Sequence, residues 1–195
     1  MACGRVVKLR AVPSGSVVLA FGDSVTFGTG AAPGEDWPSR LAAMTQWSEV
    51  NAGIPGDTAE AAKGRLQALL DDHQPALVIV ELGGNDFLRR RSSSAVKSDL
   101  REIVRAIKAA GISVVLVAVP EPSLLGVVTR KPSDAAIYAE LGSEEGVPVV
   151  DAVFSDVLSR AELRADAIHP NADGYRQMAE GIFQRLTKLG LVPAR

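Results

Sequence analysis

Val17-Val18-Leu19-Ala20-Phe21 runs without interruption into Gly22-Asp23-Ser24-Val25-Thr26-Phe27-Gly28-Thr29-Gly30. An apolar run that is continuous rather than alternating reads as a strand buried on both faces, as in a parallel sheet. The polar, glycine-rich segment behind it falls where parallel sheets build their sites, in loops at the carboxyl ends of strands.

Similar runs recur along the chain at Leu77–Val80, Val114–Val119 and Val147–Val150, with a weaker one at Glu49-Val50-Asn51. Between them lie helical patterns. Val96, Leu100, Ile103, Val104 and Ile107 share one face, as do Tyr175, Met178, Ala179, Ile182, Phe183 and Leu186. Shorter versions run through Trp37, Leu41 and Met44, and through Ala59, Ala62, Leu66 and Leu69, the latter opened by an Asp57/Glu60 capping pair. Strand–helix alternation implies right-handed βαβ units. The expectation is one three-layer α/β/α domain over residues 1–195, with a flavodoxin-like parallel sheet of about five strands. Residues 1–15 read as a poorly ordered N-terminal extension to it.

With 195 residues, 47% of them hydrophobic, the chain suits one domain with a substantial core. A net charge of −2, with no basic cluster beyond Arg89-Arg90-Arg91, argues against nucleic acid as a partner. That triplet reads as a solvated loop or helix start. No apolar run approaches the roughly 20 residues of a membrane-spanning helix. The single cysteine, Cys3, leaves no internal disulfide and no cysteine-based metal site. As written the chain is expected to be soluble and cytoplasmic; a periplasmic or lipid-anchored location stays open if a leader once preceded Cys3.

Four polar clusters sit where the carboxyl edge would be: the segment after Phe21, then Asn51-Ala52-Gly53-Ile54-Pro55-Gly56, Gly83-Gly84-Asn85-Asp86, and Asp166-Ala167-Ile168-His169-Pro170-Asn171. In this order they resemble the SGNH hydrolases, also called GDSL lipases or esterases, from about Val17 to about Leu186. The spacing looks closest to small bacterial thioesterase, arylesterase and lysophospholipase members. The resemblance implies a catalytic triad of Ser24, Asp166 and His169. It also implies an oxyanion hole from the Ser24 amide, the Gly53 amide and the Asn85 side chain. Val25 departs from the leucine that many members carry. The implied chemistry is acyl transfer from a small-molecule ester or thioester to water through an acyl-enzyme, with no cofactor and no metal.

The residue types fit that chemistry. A serine hydroxyl is a weak nucleophile until a histidine accepts its proton, and the histidine needs a carboxylate to fix its tautomer and ring. Asp166 precedes His169 by three residues, so one tight turn can present both, and Pro170 holds His169 out of helical geometry. A glycine lets backbone approach substrate closely, and an asparagine offers a neutral amide donor.

Blander readings stand beside these. Ser24 is also a good helix cap. His73, the other histidine, sits among Asp71, Asp72 and Gln74 and reads as a solvated surface residue. Asp173 and Asp151 rival Asp166 as the carboxylate. Asp23 and Asp86 read as loop-holding hydrogen-bonders, and Asn85 can be a turn residue. Leu124, Leu125 and Val127, with Val128, are candidates for an acyl pocket or for core beneath a loop, and Trp37 and Trp47 read as core. Two other functions stay open: a carbohydrate O-deacetylase using the same triad, and a non-catalytic flavodoxin-like nucleotide-binding module. Against the last, Gly28-Thr29-Gly30-Ala31-Ala32-Pro33 puts proline where a dinucleotide fingerprint needs its third glycine.

Overall fold

The computed structural model describes residues 10–121 and 132–193. Five strands, β1 (Val17–Gly22), β2 (Ser48–Gly53), β3 (Leu77–Glu81), β4 (Ser113–Val117) and β5 (Val149–Val150), form one parallel sheet in the order β2-β1-β3-β4-β5. The first, third and fourth are almost wholly buried, which is why their sequences are unbroken apolar runs. β2 is the edge strand, half-exposed and correspondingly polar. The fifth run contributes only two residues of ladder.

The helices are α1 (Ser24–Phe27), α2 (Trp37–Thr45), α3 (Ala59–His73), α4 (Gly84–Leu88), α5 (Ser93–Ala109), α6 (Ala136–Glu145), α7 (Val153–Ser159) and α8 (Ala172–Lys188), with a 3₁₀ turn at Ala161–Leu163. α3, α5 and α6 pack in a row on one face of the sheet, and α2, α8 and α7 on the other. The apolar stripe expected on α5 is buried as anticipated, from Val96 to Ile107. That of α8 is buried at Tyr175, Met178, Ala179, Ile182 and Leu186.

Two local expectations are corrected. The cap of α3 is Thr58, whose hydroxyl accepts from the Ala61 N–H, while Asp57 is held by Arg65 at 2.8 Å. Within the segment read as an N-terminal extension, residues 10–15 are tied to the body. Val12 is buried, its N–H donates to Leu191 O, and its carbonyl accepts from the Trp47 indole at 3.1 Å. Trp47 needs a partner for its N–H once buried, and this backbone oxygen supplies it.

Candidate active site

β1 ends in a backbone elbow. A methyl group on Gly22 would lie 2.0 Å from Thr26 Oγ1 and 2.6 Å from Glu81 O; the glycine therefore lets the chain turn sharply and bring Ser24 to the first position of α1. Ser24 is not the cap. Asp23 is: its carboxylate accepts from the Val25 N–H at 3.0 Å. The short helix closes at Gly28, in the left-handed region with φ 100°.

The Asp166–His169 turn folds over this elbow. Asp166 Oδ1 accepts from the Ile168 and His169 N–H groups, each at 2.8 Å, and Oδ2 meets His169 Nδ1 at 2.7 Å. His169 Nε2 stands 2.9 Å from Ser24 Oγ. Burial raises the Asp166 pKa, but the His169 ring and the two backbone N–H groups outweigh it and hold the carboxyl below its usual range. The turn is braced by Ala165 N–H donating to His169 O and by an antiparallel bridge between Arg164 and Pro170. A methyl group on Gly30 would strike Pro170 O at 2.5 Å. That glycine admits the histidine loop, which explains a glycine-rich segment that lacks a nucleotide fingerprint.

Asn85 sits in the first turn of α4, just past the end of β3. Its Nδ2 donates to Asp57 O at 3.0 Å and to Asp23 Oδ2 at 3.2 Å. Asp86, one residue on, faces away: it is fully buried and accepts from Ala59 N–H and from Arg91. Burial pushes the Asp23 carboxyl up to about 7, against the lowering effect of the Val25 N–H and of His169. Glu81, fully buried at the end of β3, is driven well above its usual range by burial and by Asp23. Thr26 Oγ1 donates to its Oε2 at 2.8 Å.

Gly53 is corrected. Its N–H donates to Asn51 Oδ1 at 3.0 Å, and a methyl group there would lie 2.2 Å from Phe27 N. The residue packs β2 against α1 and takes no part in lining the site. In the same loop the Gly56 N–H has no hydrogen-bond partner among the described residues. Gly56 is held beside α4 by Arg89 donating to its carbonyl at 2.9 Å, and it has φ +80°. The repeated glycines of this segment give no sequence signal that separates the two roles.

Ser24, Asn85 and His169 open onto a cavity of about 690 Å³ whose walls include Leu88, Val119, Phe154, Leu158 and Ile168. Asp23, Glu81, Glu121 and Arg164 line it as well. Leu124, Leu125 and Val127 lie outside the described residues. Of the rival carboxylates, Asp151 pairs with Arg185 and Asp173 with Arg176. Among the described residues no three His, Cys, Asp or Glu side chains are grouped to hold a metal ion, and no helix is long and apolar enough to cross a membrane.

A parallel α/β/α sheet with a serine, a histidine and an aspartate in hydrogen-bonded series at its carboxyl edge is the arrangement of a serine hydrolase. The chain belongs to the GDSL-like lipase/acylhydrolase family, whose model matches residues 20–177, and it is an ester-cleaving hydrolase. It is 35% identical over 179 residues to the thioesterase 1/protease 1/lysophospholipase L1 of Escherichia coli (strain K12), covering 88% of this chain and 84% of that one. It is 31% identical over 179 residues to an arylesterase of Vibrio mimicus, covering 88% of each. A crystal structure of TesA superposes with a TM-score of 0.77 at 28% identity, over 89% of this chain and 99% of that chain.

Proposed function

We propose that the chain hydrolyses carboxylic esters and thioesters of apolar acyl groups, with Ser24 as nucleophile, His169 as base and Asp166 as its orienter. The observation that carries this reading is the hydrogen-bonded series Ser24–His169–Asp166, with separations of 2.9 and 2.7 Å, opening on an apolar cavity. Asp166 fixes the proton on Nδ1, so Nε2 accepts the Ser24 proton as Oγ attacks the carbonyl carbon. The tetrahedral intermediate collapses, the leaving alkoxide or thiolate takes that proton from Nε2, and the acyl group stays on Ser24. Water then attacks the acyl carbon while His169 accepts its proton, and Ser24 regains a proton as the acid leaves.

The oxyanion donors in this reading are the Ser24 N–H, Asn85 Nδ2 and the unengaged Gly56 N–H. Asn85 trades its longer bond, to Asp23, for the developing charge. Losing one such donor typically costs about 10²–10³ in rate. The largely apolar walls favour acyl chains over acetylated sugars, whose hydroxyls would be left without partners. The names of the relatives, a thioesterase/lysophospholipase and an arylesterase, lie in the same range.

Hydrolysis of p-nitrophenyl esters of increasing acyl length tests this directly, with wild type beside Ser24→Ala and with a serine-reactive phosphonate. Turnover is expected in the wild type only, with the phosphonate bonded to Ser24. Undiminished turnover by Ser24→Ala, or labelling elsewhere, would overturn the assignment.

A further inference from the structure

We propose that Arg164 is a specificity residue that receives an anionic group, a phosphate or a carboxylate, on the acyl ester being cleaved. The inference rests on the cavity belonging to the Ser24 site, and it adds the charge of the substrate. Arg164 lines that cavity and is partly buried. Every other partly buried arginine or lysine among the described residues, from Arg40 to Arg185, meets at least one carboxylate within 4.0 Å. The Arg164 guanidinium meets none, and it makes no side-chain hydrogen bond among the described residues.

Such a gap is costly where it stands. A cation removed from part of its water needs a counter-charge or hydrogen-bond acceptors to offset the desolvation. This fold supplies them at each comparable position but not here. The carboxyls that share the cavity do not fill the role. Asp23 and Glu81 are committed to the β1 elbow, through the Val25 N–H and Thr26 Oγ1, and both are shifted toward their neutral forms by burial. Glu121 takes a hydrogen bond from Ser93 at 3.3 Å and makes no ion pair with Arg164.

Arg164 is also held in place. Its carbonyl accepts from Asn171 Nδ2, its N–H donates to Ala161 O, and its backbone bridges Pro170 on the loop that carries His169. Its backbone is therefore tied to the loop that carries His169, so the side chain is tethered to the cavity wall. A planar fork of donors suits the paired oxygens of phosphate or carboxylate. The apolar walls take the acyl chain, and Arg164 takes a charge elsewhere on the same molecule.

The test compares substrates that share one acyl chain: a 1-acylglycerol 3-phosphate and a 4-acyloxybenzoate as the anionic pair, a 1-acylglycerol and a p-nitrophenyl ester as the neutral pair. Wild type, Arg164→Gln and Arg164→Lys are assayed on all four. Arg164→Gln should lower kcat/KM for at least one anionic substrate, relative to its neutral counterpart, by about 10–100-fold, chiefly through the KM of the anionic substrate, the range expected for one charge-assisted hydrogen-bonded contact. Arg164→Lys should recover part of that loss. Which anionic substrate is affected separates phosphate from carboxylate. Equal losses on neutral and anionic substrates, or no change in their ratio, would overturn the proposal.

A binding arm does not depend on turnover. In the Ser24→Ala background, a non-hydrolysable 1-alkylglycerol 3-phosphate and its neutral 1-alkylglycerol are titrated by calorimetry with and without Arg164→Gln. Selective weakening of the phosphate ligand supports the role of Arg164 even if Ser24→Ala still cleaves esters, in which case only the nucleophile assignment falls. Equal affinity with and without the arginine removes phosphate as the group received, and together with an unchanged kcat/KM for the 4-acyloxybenzoate it overturns the proposal.

Discussion

The Asp166 carboxylate makes three hydrogen bonds at one turn: Oδ1 receives two backbone N–H groups, and Oδ2 receives the His169 ring. An asparagine cannot reproduce this. If its oxygen faces the two N–H groups, its NH₂ faces Nδ1, the ring must carry its proton on Nε2, and it can no longer accept from Ser24. Asp166→Asn is therefore expected to lower kcat by roughly 10²–10⁴-fold with little change in KM, measured on a p-nitrophenyl ester. A loss of less than about fivefold would mean that the half-exposed carboxylate can be replaced by water. The short Asp-x-x-His spacing made this turn readable, because the partners are local and one turn brings them together. Which glycine of the Asn51–Gly56 segment leaves its amide unengaged was not readable. Gly53 and Gly56 are equivalent in the sequence, and only the packing of β2 on α1 and the hold of Arg89 on the Gly56 carbonyl separate them. Arg164 carried no signal either, since a missing partner becomes visible only when the neighbours are known.

At the scale of elements, the site depends on backbone meeting backbone. Gly22 and Gly53 end adjacent strands, paired in register, and both are crowded by α1. Gly64 is the opposite case: it lies on the exposed face of α3 with nothing within 4 Å of where a methyl group would go. Gly64→Ala is expected to stabilise the protein by about 0.5–1 kcal/mol, because alanine loses less backbone freedom in a helix. Gly53→Ala should destabilise by about 1–3 kcal/mol through forced displacement of α1. Urea denaturation of both variants at one pH measures the pair, and a stabilised Gly53→Ala would show that the contact with Phe27 N relaxes freely. The strands and long helices were legible because burial on two faces or on one stripe writes a period into the sequence. The sequence does not separate Asp57 from Thr58 at the start of α3, because both are good caps; the Thr58 bond to the Ala61 N–H and the salt bridge of Asp57 to Arg65 do.

Across the whole molecule, carboxyls shift in two opposed directions. Asp99, Glu144, Glu145 and Asp166 have pKa values held below the usual range. Asp23 and Glu81 beneath the elbow are raised, and so is Glu49 on the edge strand. Glu49 is the separable member. It lies beside Trp37 and Trp47, outside the Ser24 cavity, with Oε1 buried and without a partner among the described residues. Burial, and then Asp36, push it from 4.5 up to about 8. A carboxyl raised by folding binds more proton in the native chain than in the unfolded one between those two values, so its contribution to stability falls as pH rises through that window. Below about pH 4.5 both states hold the proton and the penalty vanishes; above about pH 8 it is complete. Glu49→Gln keeps the shape and removes the titration. The variant should match wild type near pH 4.5 and exceed it at pH 8–9 by on the order of 1–3 kcal/mol, less than full linkage because the side chain is partly exposed. Asp23 and Glu81 remain, so the variant keeps a reduced slope of the same sign. Ester hydrolysis at neutral pH should be unchanged, which distinguishes a carboxyl that shapes the stability curve from one that shapes the site. Urea midpoints for both proteins from pH 4.5 to 9 decide it: parallel curves would mean that Glu49 titrates near its ordinary value in the folded chain.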